Sequence, residues 1–199
     1  MVNDVLVWLQ VNWIETLATI IGIIYLVFSV KQNILLWIFG LMTSLLYIYV
    51  YFNSQFYADM ALQIYYVVIS IYGWFHWSKG GENESTLKVS TASTTLMVKC
   101  VALTLVLWLG IYFLLSLTNS DVPVGDAFTT AAAIVATWML AQKLIENWLF
   151  WIVIDSVSLI LYIHKELWPT VVLFGAYTLV AIIGYFKWRT DMYETQKLA

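Results

Sequence analysis

The chain has 199 residues, of which 62% are apolar and only 11% charged. Soluble domains carry about 25% charged residues, so this chain cannot clothe a water-facing surface and its solvent is lipid. The net charge of −3 says little in a membrane protein, but no basic patch offers itself to nucleic acid, and the single cysteine, Cys100, excludes an intrachain disulfide or a multi-cysteine metal site.

In chain order, Met1 to Gln10 lacks the Lys/Arg-rich start and small-residue cleavage site of a leader peptide, so the first span is expected to be the targeting signal. A helix needs about 20 apolar residues to cross a bilayer. Seven stretches approach that length: 14–30, 34–52, 57–77, 96–117, 127–141, 148–163 and 169–186. The fifth and sixth are short and are expected to run into their polar flanks. Lys31-Gln32-Asn33, Asn53-Ser54-Gln55, Thr118 to Asp126, Gln142 to Asn147 and His164-Lys165-Glu166 mark breaks, and 78–95 is the one sizeable polar loop. The tail beyond Lys187 is expected to fray. Unbroken apolar runs, rather than alternation, select helices over a barrel. The fold class is therefore an all-α integral membrane protein with seven transmembrane helices.

Charge sets the orientation. With the N-terminus outside, Lys31, Lys79, Lys88, Lys99, Lys143, Lys187, Arg189 and Lys197 fall inside and Lys165 alone outside. That asymmetry predicts an outside N-terminus and a cytoplasmic C-terminus.

The chain also matches itself. An offset of 114 pairs Thr16 with Thr130, Ala18 with Ala132, Asn33 with Asn147, Trp37 with Trp151 and Ser44 with Ser158, whereas Gly73-Trp74-Phe75-His76-Trp77 matches Gly184-Tyr185-Phe186-Lys187-Trp188 only after a gap. Ala18/Gly22 and Ala132/Ala136 are small-x-x-x-small pairs that let helix backbones approach closely. These matches predict two parallel three-helix repeats joined by a linker helix: 1–95 as the first repeat with its loop, 96–117 as the linker and 118–199 as the second repeat with its tail.

An ionisable residue inside the bilayer is costly, which singles out Asp155 in the sixth span. Trp151 lies four residues earlier on the same helix face, and an aromatic plate beside a carboxylate suits a flat cationic or amine-bearing ligand. The alternative is a structural Asp bonded to Ser158 or to a neighbouring helix. Gln63 can donate and accept, as ligand contact or helix-packing group. Thr43 and Ser44 either line a path or bond their own helix carbonyls. Asp59 and Glu15 read as span-end groups. Trp13, Trp74, Trp77, Trp168 and Trp188 read as an interfacial aromatic belt. Tyr47, Tyr49, Tyr65 and Tyr66 fit packing better than a pore lining. An enzyme would need a second acid/base or a metal partner for Asp155, and neither His76 nor His164 is spaced to provide one.

Trp13-Ile14-Glu15, Phe56-Tyr57-Ala58-x4-Gln63, Tyr72-Gly73-Trp74-x2-Trp77 and Lys143-x2-Glu146-Asn147-Trp148-x2-Trp151 together resemble the PnuC family of bacterial vitamin transporters, in order and over nearly the whole chain. The resemblance implies a three-plus-one-plus-three, SWEET-like fold and a homotrimer in the inner membrane; the residues themselves offer no metal site, and no cofactor is expected. It also implies facilitated diffusion of a vitamin that cytoplasmic phosphorylation then traps. Carried over by position, Trp151, Asp155 and Gln63 are ligand contacts, and Thr43 stands where the family often has Asn. Typical members carry nicotinamide riboside and have Trp-x-x-x-Asn in span six, whereas the thiamine-type relatives, PnuT, have Trp-x-x-x-Asp. Asp155 can only accept when ionised, which suits the exocyclic amine of thiamine better than a carboxamide. Thiamine is thus the expected substrate, with nicotinamide riboside as the alternative.

Overall fold

The computed structural model describes residues 13–55, 57–80, 87–118 and 122–198. The opening decapeptide, Phe56, the middle of the 78–95 loop and part of the Thr118–Asp126 break lie outside the described residues. So does the Glu15 side chain.

Seven helices appear among the described residues: α1 (Trp13–Val30), α2 (Leu36–Asn53), α3 (Tyr57–Lys79), α4 (Thr94–Ser116), α5 (Pro123–Ala141), α6 (Asn147–His164) and α7 (Trp168–Leu198). Each answers to one apolar stretch. The short fifth and sixth stretches do extend into their flanks: Pro123 opens α5, where its missing N–H costs nothing, and α6 begins on Asn147. Among the described residues five helices, α2, α4, α5, α6 and the Thr170–Thr195 part of α7, are long and apolar enough to cross a membrane; the apolar part of α1, Thr16–Val30, is shorter.

The last helix corrects the sequence expectation. Its 31 residues continue through the supposed frayed tail to Leu198. At 1.5 Å per residue that is about 46 Å, well beyond a hydrocarbon core of about 30 Å, so the final turns are built for water. Lys187 donates to Asp191 one turn on, at 2.7 Å, and the Arg189 guanidinium sits over the Tyr193 ring. Such i,i+4 pairs sustain a helix that lacks an apolar face to bury.

The chain divides into two compact units, Met1–Gly80 and Gly81–Ala199. In the first, α1 packs on α2 and α2 on α3; in the second, α4 packs on α5, α5 on α6 and α6 on α7. Small residues allow the close approaches. Gly22 brings α1 within van der Waals reach of the Thr43 methyl, and Ala132, Ala133 and Ala136 form a buried face under Ile154.

The same local construction occurs in both units, at an offset of 111 in the numbering. Gln32 and Lys143 close the α1–α2 and α5–α6 turns with φ of 54° and 56°; Gln55 and Glu166 close the next turns with φ of 61° and 57°. Turn hydrogen bonds repeat in step: Asn33 N–H to Phe28 C=O at 2.9 Å, and Leu144 N–H to Met139 C=O at 3.0 Å. Trp37 meets Trp77 edge-on at 5.5 Å, as Trp148 meets Trp188 at 5.6 Å. In each unit a glycine, Gly73 or Gly184, lies against the tryptophan ring of the preceding helix.

The offset of 111 replaces the offset of 114. Trp37 corresponds to Trp148 rather than Trp151, and the glycine–tryptophan segments of α3 and α7 match without a gap. A shift of three is nearly one helical turn, so apolar helices match almost equally well at either offset. The turns decide between them. The aromatic-belt reading also changes: Trp13 and Trp168 are exposed, but Trp77 and Trp188 are buried between helices.

Candidate functional site

Asp155 lies halfway along α6 and is 6% exposed. Among the described residues its carboxylate has no hydrogen-bond or ion-pair partner, and buried Ser158, one turn on, does not bond to it. A structural Asp held by Ser158 is therefore not what the helix shows. Trp151, one turn earlier on the same face, is half-buried against the Ala132–Ala133–Ala136–Ile154 cluster, which fixes its ring on one side. The two side chains present an aromatic face and an unpartnered carboxylate in sequence along α6, a combination that can stack on a flat ring and accept from its amine.

Thr43 and Gln63 lie on α2 and α3, neighbouring helices of the first unit. The Thr43 hydroxyl is buried without a partner among the described residues, so it does not take the usual bond to its own helix. Gln63 is half-buried. At the offset of 111, buried Ser44 stands at the Asp155 position and Gly40 at the Trp151 position. A Cβ at Gly40 would come within 3.2 Å of the Tyr25 ring and of Ser70 Oγ, so the Tyr25 ring of α1 lies against α2 at the position that corresponds to Trp151. Sequence reasoning misses Tyr25 because its partner is a glycine on another helix. A cavity of about 240 Å³ on α2 and α3, lined by Trp37, Leu41, Ser70 and Trp74 among others, contains none of the four expected ligand contacts. Tyr47 stacks on Tyr51 and pairs with the Thr19 hydroxyl at 3.3 Å, a packing role as expected.

Ahead of α6, the α5–α6 turn does more than reverse the chain. Lys143 is 7% exposed and its ammonium donates to the Leu87 carbonyl at 2.6 Å. Burial lowers its pKa from 10.5 to about 8, opposed by the nearby Asp191 carboxylate. Between those two values the unfolded chain holds a proton that the folded chain lacks, so raising the pH through that window stabilises the fold. The thermal midpoint of the purified protein is expected to rise between about pH 8 and pH 10, and Lys143→Met is expected to remove that rise. An equal rise in both proteins would place its origin elsewhere.

Residues 12–190 match the family described as nicotinamide mononucleotide transporter. The chain belongs to this family, the PnuC family. The nicotinamide riboside transporter PnuC of Escherichia coli (strain K12) is 26% identical, the match covering 90% of this chain and 86% of that one. The riboflavin/roseoflavin transporter RibM of Streptomyces davaonensis is 24% identical over 75% of this chain and 71% of its own length. Among solved structures, the crystal structure of the vitamin B3 transporter PnuC superposes with a TM-score of 0.75 at 25% identity, covering 96% of this chain and 87% of that one. PnuC membership accounts for the all-helical membrane fold of the described residues.

Proposed function

We propose that this PnuC-family chain transports a ring-bearing vitamin by facilitated diffusion, with Trp151 stacking on the ring and Asp155 accepting from it. The observation that carries this reading is the buried, unpartnered Asp155 carboxylate one turn from Trp151, since a group that costly in lipid is retained where a ligand meets it. Gln63 and the unpartnered Thr43 hydroxyl are proposed as further contacts.

Nicotinamide riboside is the first-choice substrate, because that is what the PnuC relatives are named for. It displaces thiamine, the expectation from the sequence, to a second reading. The relatives name nicotinamide riboside and riboflavin but not thiamine. What still favours thiamine is Asp155 itself, an acceptor without a donor when ionised.

The wider reading follows the family. Two parallel three-helix repeats joined by α4 are supported by the turns and the Trp–Gly–Trp packing that recur in the two units. An outside N-terminus and cytoplasmic C-terminus are supported by eight of the nine basic residues. A homotrimer in the bacterial inner membrane, and trapping of the vitamin by phosphorylation after entry, complete the proposal.

In liposomes the purified protein is expected to equilibrate labelled nicotinamide riboside saturably, without accumulation. Accumulation driven by an imposed proton or sodium gradient would contradict facilitated diffusion.

A further inference from the structure

The helix that carries Trp151 and Asp155 is tied down at its start by a segment distant in sequence. Residues 87–93, which lead into α4, lie along the α5–α6 turn as a strap. Ser90 N–H donates to the Lys143 carbonyl at 3.2 Å and Ile145 N–H to the Ser90 carbonyl at 3.0 Å, a one-residue parallel bridge between Ser90 and Leu144. The Lys143 ammonium holds the Leu87 carbonyl. Both carboxylate oxygens of Glu146 accept the Ala92 N–H, at 3.1 and 3.0 Å.

Glu146 is the residue immediately before α6, where an acidic side chain would ordinarily satisfy the free N–H groups of its own helix. It makes no such cap bond. Its carboxylate instead reaches the residue before Ser93, whose hydroxyl caps α4 by accepting from Leu96 N–H. One side chain thus links the starts of α4 and α6. In the equivalent turn of the first unit exposed Leu35 stands at the Glu146 position, and Asn33 accepts the Leu35 N–H at 2.9 Å. A carboxylate tie at that position thus belongs to the helix with Asp155 and Trp151, since Leu35 cannot make one.

We infer that Glu146 is a positioning residue for ligand recognition, holding α6 to the 87–93 strap so that Trp151 and Asp155 keep their place. This positioning role rests on the proposed ligand contacts of those two residues. The lever is short: at 1.5 Å per residue Trp151 is about 7.5 Å and Asp155 about 13 Å from Glu146 along the helix, so a small tilt at the start displaces both. Recognition by one stacked ring and one hydrogen bond tolerates little displacement, since supporting groups must hold such contacts to within about 0.5 Å.

The test is titration calorimetry of nicotinamide riboside and thiamine against the full chain in a Cys100→Ser background. Glu146→Ala is expected to weaken whichever vitamin binds by about tenfold, the scale of one hydrogen bond to a charged group. Glu146→Gln keeps an acceptor for the Ala92 N–H and should bind nearly as the parent does. Adding Ser90→Cys and Leu144→Cys to Glu146→Ala should restore affinity when the disulfide is formed and lose it on reduction, because neighbouring strand residues lie within disulfide reach. In an Asp155→Ala background Glu146→Ala should cost clearly less than in the parent, the coupling expected if it acts through that residue. Hydrogen exchange across residues 147–155 reads the same tie without any ligand and should speed up in Glu146→Ala. Parental affinity in Glu146→Ala, a fully additive loss with Asp155→Ala, or unchanged exchange would each overturn the inference. A parent that binds neither vitamin would count against the proposed function instead, and the exchange result would still decide the role of the tie.

Discussion

Asp155→Ala is expected to weaken binding of the transported vitamin by about 1.5–3 kcal/mol, the range for a hydrogen bond to a charged group. That is roughly tenfold to a hundredfold in affinity. The carboxylate is buried and has no hydrogen-bond or ion-pair partner among the described residues, and the partner proposed for it is the bound vitamin. Trp151→Ala should harm nicotinamide riboside and thiamine alike, because either vitamin offers a flat aromatic ring to stack on. Asp155→Asn separates the two substrate readings: an amide both donates and accepts, as a carboxamide requires, so the variant should gain on nicotinamide riboside relative to thiamine. Calorimetry on the parent and these three variants with both vitamins is the measurement. Tight thiamine binding by the parent, lost in Asp155→Asn, would reinstate thiamine as the substrate. Unchanged affinity in Asp155→Ala would leave the carboxylate with a structural role only.

Gly184→Ala and Gly73→Ala should each destabilise the protein by about 1–3 kcal/mol, the usual scale for forcing a methyl group into a packed core. An added Cβ would lie 2.7 Å from the Trp148 ring at Gly184 and closer still to the Trp37 ring at Gly73. Neither ring can yield easily, since each is buried and held edge-on by a second tryptophan on the helix that carries the glycine. Gly110→Ala is the control, because a Cβ there meets nothing within 4 Å, and replacing glycine inside a helix should stabilise if anything. Thermal unfolding of the three variants in one detergent makes the comparison. Equal midpoints for Gly184→Ala and Gly110→Ala would mean that the tryptophan pairs are not the keystones of their helix contacts.

Much of the candidate site is legible in the amino-acid sequence alone. Asp155 stands out because a carboxylate in an apolar run is expensive, and Trp151 follows from helical spacing. Lys143 and Glu146 are visible there only as letters of a family motif. Their roles depend on backbone groups of Leu87 and Ala92, 56 and 54 residues earlier, and a backbone N–H or C=O leaves no mark in a sequence. Tyr25 escapes for a related reason, since its place over α2 is made by the missing side chain of Gly40.

The sequence by itself determined the seven helices, the polar breaks between them, the membrane as solvent and the family. The helices and their solvent follow from composition over windows of about 20 residues, the length a bilayer spans. Only the tertiary structure decided the repeat register, the burial of Trp77 and Trp188, the continuation of α7 to Leu198 and the strap on the α5–α6 turn. Apolar helices are nearly indifferent to a shift of three positions, and an aromatic at a span end suits an interface as well as a helix contact. Such choices are settled by which side chain faces which neighbour, and in Trp37 and Trp148 the deciding neighbour is a glycine.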